Sequence, residues 1–526
     1  MRFGARSLLI FLLLLVPSGQ FAWRNRDLPE FAYLHDDGLL FVTGQSLATG
    51  NGYRIPSLPE NPPQTKFPPL YPLYLSLIWR LNPHFPDNLR VATVFSWALL
   101  AICLLLAWRM YRCEGFSEKR TRLLVALLAI NPYLILFGCS MFTEVFFTCC
   151  VVATFLAARQ RAMGMVVVAG LAAGLAYLSR TAGIALLVSV PAWMLLKRDW
   201  KGAGVFVMSM LPALIGWSLW AQAHLPRSTD QTLLYYTDYL GYRALNIGFD
   251  NLAVLLWKNT DQILYGMGSL LLPKVLDTLA VKMLAWVIAV AMIVGVVRLA
   301  RRGIAVHYAL FALVSVGIML VWHFPPNERF VLPLYPLLIA GLLAELEHLG
   351  EMLKKAFHHK DFSQRVVAGL MSAAVVVVLG AAVVLQLYVS FVFLQETANQ
   401  KRAKLADLRA AYTWISANVP ASAAVLSYDD PLLYLYSGRR GNYMPLLSRW
   451  WYSEDHANIV NAYRNLPAYC RSRGLEYVYF TSDDLGREVG DEDRQAIQRV
   501  VRESAELTPV FTAGIGTVYK LNRARQ

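Results

Sequence analysis

Charge is scarce in this sequence. Only 16% of its 526 residues are Asp, Glu, Lys or Arg, against 56% hydrophobic, whereas a soluble chain carries about a quarter charged residues. That composition excludes an ordinary soluble globular protein. Cysteine is scarce as well. The six present are scattered, and Cys103, Cys149 and Cys150 lie inside apolar runs. They form neither an even framework nor a metal-ligand spacing, so they read as small apolar side chains. No internal repeat and no low-complexity tract stands out.

What the chain has in place of charge is apolar length. Runs of roughly 17–25 residues recur, long enough to cross a ~30 Å hydrocarbon layer as helices. Spans are expected at 7–23, 89–109, 122–138, 142–158, 163–178, 183–196, 203–222, 280–297, 304–322, 331–347 and 366–393. Basic residues alternate between the connections. One set holds Arg2 and Arg6; Arg109, Arg112, Lys119, Arg120 and Arg122; Arg159 and Arg161; Lys197, Arg198 and Lys201; Arg298, Arg301 and Arg302; and Lys354, Lys355, Lys360 and Arg365. The opposite short connections are nearly bare, with only Arg180 and Arg329. The positive-inside rule places the basic set in the cytoplasm. The eleven spans then give a cytoplasmic N-terminus and an extracytoplasmic C-terminus in the inner membrane. The net charge of +14 is thereby topological, and no nucleic-acid partner is needed to explain it.

Residues 1–22 have the basic start and short apolar core of a signal peptide, but lack well-placed small residues for cleavage, so they are taken as a retained first span. The apolar stretch Leu264–Leu279 is broken by Pro273 and Lys274, and a span there would reverse every later loop against its charge. The expected architecture is an all-α polytopic membrane domain of about 11 transmembrane helices, residues 1–394, followed by a soluble α/β domain, 395–526. Within the first part, 24–88 forms a long external loop with amphipathic stretches, and 224–279 an external region lying along the membrane. In the tail, helix is expected at Lys404–Ala417, 456–473 and 491–506, and strand at Ala424–Tyr428, Tyr477–Thr481 and Thr517–Leu521.

On the external side the polar residues can be sorted. Asp36 and Asp37 follow the first span, and Glu144 begins the fourth. Lys66 lies in the first loop, Arg90 starts the second span, and Arg180 and Arg329 occupy otherwise bare connections. Acidic groups and lone cations next to a bilayer are costly without work to do. The chemistry that fits is glycosyl transfer from a lipid-linked sugar. A carboxylate takes the proton of an acceptor hydroxyl, and fixed cations receive the charge that develops on a leaving phosphate. Each of these residues also has a plainer reading: a helix cap for Asp36, second-tier support for Asp37, a favourable helix start for Glu144, and anchors reaching to lipid head groups for Lys66, Arg90, Arg180 and Arg329.

The order Asp36-Asp37, then Lys66-Phe67-Pro68-Pro69-Leu70 and a short apolar helix, then Arg90, resembles the GT-C glycosyltransferases. The likeness is to the branch of protein O-mannosyltransferases, aminoarabinose transferases and RgtA/B/C/D-like bacterial enzymes. Gly50-Asn51-Gly52-Tyr53, Leu178-Ser179-Arg180-Thr181-Ala182-Gly183 and Glu328-Arg329-Phe330-Val331-Leu332-Pro333 are similar to the last group, and the likeness covers roughly residues 1–345. The resemblance implies a polyprenyl-phosphate sugar donor, an inverting single displacement on the outer face, Asp36 as base and Lys66 at the donor phosphate. Arg180, Arg329 and Arg90 are further candidates for that phosphate. Two departures stand out. Many relatives have Asp-Glu where this chain has Asp36-Asp37, and many have Asp where it has Glu144. Glu144 either orients the acceptor or helps hold a divalent cation, and no other cofactor is implied.

The acceptor is a hydroxyl on a glycan, lipid or protein. Rival readings are a transporter or flippase of lipid-linked sugars, a non-catalytic assembly or polymer-binding protein with the tail as its working part, and a polysaccharide polymerase or ligase. Among the remaining residues, His35 is expected to hydrogen-bond locally, and Tyr235, Tyr236 and Tyr239 to form an interfacial belt in preference to a sugar-stacking surface. Tyr428-Asp429-Asp430 before Pro431 reads as a turn, and Arg439 and Arg440 as solvated turn charges.

Overall fold

The computed structural model describes residues 5–27, 35–160, 162–238, 241–242, 247–275, 278–358, 362–486 and 488–522. Arg2, Arg161, Lys360 and Tyr239 lie outside them. The chain is a polytopic, mainly helical membrane protein with a small mixed sheet near its C-terminus. Among the described residues, six helices are long and apolar enough to cross a membrane: Ser7–Arg24, Asn88–Cys113, Trp200–His224, Leu279–Arg301, Glu328–Phe357 and Phe362–Asn418. Each contains an expected span, and the last runs on through the helix expected separately at Lys404–Ala417. The span expected at 122–138 is a pair of helices, Glu118–Ala129 and Pro132–Gly138, bent by 64°. Pro132 has no N–H to continue the first helix, and Asn131 caps the second by accepting from the Leu134 amide at 2.9 Å. The other four spans are shorter apolar helices, Thr143–Ala158, Met163–Ser179, Thr181–Leu196 and Val306–Leu320.

Contacts divide the chain into two compact units, one of residues 1–26, 93–216 and 258–396, the other of 27–92, 217–257 and 397–526. The last division lies beside the expected 394, and the first loop and residues 217–257 are grouped with the tail. In the first unit, Leu279–Arg301 packs along Tyr335–Phe357. Gly295 faces the Gly341 backbone so closely that a Cβ has no room, the small-residue contact that lets membrane helices approach.

The second unit is built on a five-stranded sheet of order β2-β1-β3-β5-β4: β1 is Ala424–Ser427, β2 Gly441–Asn442, β3 Leu475–Thr481, β4 Leu507–Ala513 and β5 Gly516–Leu521. β1 runs parallel to β2 and β3, while β5 is antiparallel to both β3 and β4. Alternation along β3 sends Val478 and Phe480 to one face and Tyr477 and Tyr479 to the other. The Tyr477 face is covered by Leu408, Tyr412 and Ile415 of the helix Leu394–Asn418. On the Val478 face the cluster takes in Leu39, Ile55 and Leu58 from the first loop and Tyr236. A backbone bond adds a direct tie, since the Gly441 amide donates to the Ser57 carbonyl at 2.9 Å. The helix expected over 456–473 is two, His456–Arg464 and Leu466–Ser472, divided where Pro467 enters.

Candidate active site

In the second unit, Asp36 and Asp37 occupy the first turn of the helix Asp36–Ala48. Carboxylates there meet the positive end of the helix dipole. Asp37 is buried and Asp36 half-buried. His35, just before them, has φ 66°, a left-handed conformation that costs a residue with a Cβ. Its ring is anchored: Nε2 stands 2.6 Å from Asp430 Oδ1. Tyr236 donates its hydroxyl to the same oxygen at 2.7 Å and accepts from the Tyr443 amide at 2.9 Å. Asp430 is fully buried and opens the helix Asp430–Ser437. The residues before it do form a turn, as expected, but the acid itself is a long-range partner of the first loop. Burial pulls the His35 imidazole down, yet the Asp430 carboxylate, aided by Asp429, outweighs it and holds the ring above its ordinary value.

Lys66 is buried beside this network. Its Nζ lies 4.6 Å from the centre of the Tyr235 ring and 5.0 Å from that of Phe67, cation–π distances. The segment is held by more than its prolines. Gln64 Oε1 accepts from the Lys66 amide at 3.2 Å, Thr65 donates to the Thr237 carbonyl at 2.6 Å, and Tyr53 donates to the Phe67 carbonyl at 2.8 Å. Pro69 then leads into the helix Leu70–Leu81. Tyr236 is fully buried and so is no lipid-facing belt residue. Tyr235 packs against His35, Tyr236 and Tyr443. Arg90 is exposed and pairs with Asp27. Arg439, expected to be a solvated charge, is half-buried and donates to the Val419 and Ser416 carbonyls at the end of the helix Leu394–Asn418.

In the first unit, Glu144 is fully buried at the start of Thr143–Ala158. Both Arg180 and Arg329 donate to its Oε1. Arg180 also reaches Thr143 Oγ1 at 3.2 Å, and the Arg329 guanidinium covers the Phe142 ring at 4.7 Å. Three candidates from separate connections are thus brought together. Next to Arg329, Glu328 pairs with Lys274 and accepts from Ser269 Oγ at 3.0 Å. Lys274 also lies 3.9 Å from the Tyr265 ring centre. In the sequence this lysine marks only a break in an apolar stretch. A cation beside a proline in such a stretch was itself the signal. No group of three or more His, Cys, Asp or Glu among the described residues is placed to hold a metal ion, so no chemical step is assigned to one.

No protein-family model matches the sequence, and no curated protein matches it. Solved structures do. ArnT from Cupriavidus metallidurans bound to undecaprenyl phosphate matches with a TM-score of 0.55 over 98% of both chains at 13% identity. The apo form of ArnT matches at 0.52 over 92% of each, again at 13%. ArnT is a GT-C glycosyltransferase. The chain has the GT-C fold. The arabinofuranosyltransferase AftD from Mycobacteria aligns with 99% of this chain but only 40% of its own, at 12% identity and a TM-score of 0.47. Within the GT-C fold of this chain, the long first loop that carries Asp36 and Lys66 lies in the same compact unit as the sheet-bearing tail.

Proposed function

We propose that the chain is a membrane glycosyltransferase that moves a monosaccharide from a polyprenyl-phosphate carrier to an acceptor hydroxyl. The observation that carries this reading is Lys66, a lysine buried on two aromatic rings in the loop that also carries Asp36, in a chain whose fold matches ArnT bound to undecaprenyl phosphate along its length. Asp36 removes the proton of the acceptor hydroxyl as its oxygen bonds to the anomeric carbon. The bond from that carbon to the phosphate oxygen breaks, and the electron pair leaves with the polyprenyl phosphate. Attack opposite the leaving group inverts the anomeric centre. Lys66 takes up the charge on the departing phosphate as a point cation. Arg180 and Arg329, set by Glu144, are a second site for anionic oxygen, and their guanidinium forks suit it. The basic connections lie in the cytoplasm and the tail on the outer face of the inner membrane.

The test is transfer by the purified chain in detergent, with the missing sugar first identified by mass spectrometry of surface glycans with and without the gene. Turnover without a sealed compartment is expected, and it separates an enzyme from a transporter. Asp36→Asn is expected to lose about 10²–10⁴-fold in rate, the usual worth of a general base, while inserting normally. A variant that transfers sugar as well as the native chain would overturn the assignment.

A further inference from the structure

We propose that His35 is a second hydrogen-bond donor to the phosphate of the lipid-linked sugar, working beside Lys66, and that Asp430 of the tail is the positioning residue that sets its ring. This inference rests on the donor class proposed above and adds a residue and a partner to it.

The geometry is asymmetric. His35 Nε2 is committed to Asp430, while Nδ1 is buried without a hydrogen-bond partner among the described residues. A buried imidazole nitrogen left in this way carries a desolvation cost that a bound oxygen would remove. The backbone strain at His35 (φ 66°) points the same way. Strained residues persist where the surroundings hold them, and they cluster at functional sites. Here Asp430 does the holding, and it is itself fixed by the Tyr236 hydroxyl.

The groups around the ring carry charges of both signs. The His35 ring faces Asp430 and Asp429 from the tail, Lys66 from the first loop, and the rings of Tyr235, Tyr236 and Tyr443. Asp36 and Asp37 follow it in the chain. Lys66 and His35 both pack on Tyr235, so an oxygen anion between them would meet a lysine ammonium and an imidazolium N–H. Asp430 compensates the second of these charges in advance, which permits two cations to share a buried site. Because the pair holds the ring above its ordinary value of 6.5, the charged form predominates below that pH. It is lost as pH rises through the elevated value.

The experiment is calorimetric binding of undecaprenyl phosphate to the full chain in detergent between pH 6 and 9, each variant compared with the native chain at the same pH so that titration of the lipid cancels. His35→Gln keeps an N–H for Asp430 but has neither charge nor second donor. It is expected to bind about 10–100-fold more weakly at pH 6, the worth of a charged hydrogen bond, and to show a flat pH profile. Asp430→Asn is expected to move the loss of affinity to lower pH, since burial alone then governs the ring. A purely structural Asp430 would lower the melting temperature without moving that limb. If both variants bind like the native chain at every pH while Lys66→Gln binds weakly, this inference is overturned and the donor class stands. If Lys66→Gln and the native chain also bind alike, the donor class fails and takes the inference with it.

Discussion

Gly38 packs directly against Pro431: a Cβ built on the glycine would stand 2.9 Å from the proline Cβ. The first turn of the helix bearing Asp36 and Asp37 therefore rests on the first turn of the helix that begins with Asp430. A glycine is needed because of this approach and not because of its backbone angles. Gly38→Val is expected to destabilise the chain by about 1–3 kcal/mol through overpacking. Transfer activity should fall with it, because the helix start that aims Asp36 is displaced. Thermal melting and turnover in detergent check both, and unchanged values for each would show that the contact is dispensable.

Glu144 makes a different kind of prediction. It is the shared acceptor of two guanidiniums in a buried setting. Removing one partner of such an arrangement is worse than never having built it, because charges remain without compensation. Glu144→Gln should cost about 3–5 kcal/mol of stability, read as a fall in melting temperature. A variant that melts like the native chain would mean that the arginines are compensated elsewhere.

Asp484 should give the tail a pH-dependent stability. Burial pushes its carboxyl up to about 7, against the opposing hydrogen bonds from Thr481. An acid raised in the folded state binds a proton there that the unfolded chain has already released above its ordinary value of 3.8. Stability therefore declines as pH rises from about 4 towards 7 and levels off above. The full effect is about 4 kcal/mol at 1.36 kcal/mol per pH unit. Melting curves of Asp484→Asn should lack this decline, and an identical slope in the variant would contradict it.

Orientation can be read with the chain's own thiols. Cys113 is the exposed cysteine among the six, and it lies in a basic connection. A membrane-impermeant maleimide added to spheroplasts should leave it unmodified. A cysteine placed at the exposed Asn51 of the first loop should react. Labelling of Cys113 before lysis would reverse the assignment of sides.

The apolar helices were legible because a bilayer demands long runs of one kind of residue, and such runs are local. Six expected spans are long helices for that reason, while the other five are a bent pair and four shorter apolar helices. The tail was partly legible. β1, β3 and β5 carry buried β-formers, whereas β4 holds Pro509 and is largely exposed, and β2 is only two residues long. Asp36, Lys66 and Glu144 stood out as charges in unusual places, but their partners did not. Nothing near Tyr428-Asp429-Asp430 shows that Asp430 belongs to His35, because pairing over 395 positions leaves no periodic trace. The two arginines of Glu144 were each singled out, yet their convergence on one carboxylate depends on helix packing that no short window contains.

The order of folding follows from the way the second unit is assembled from widely separated stretches. At 5–20 residues per second a ribosome finishes Asp430 roughly 20–80 s after His35. Throughout that interval the early loop has been made but has no sheet to close on, while helix after helix is inserted behind it. Competence for chemistry would thus arrive only with the final stretch of polypeptide, and a nascent chain stalled before the tail would be inert however well its helices had been inserted.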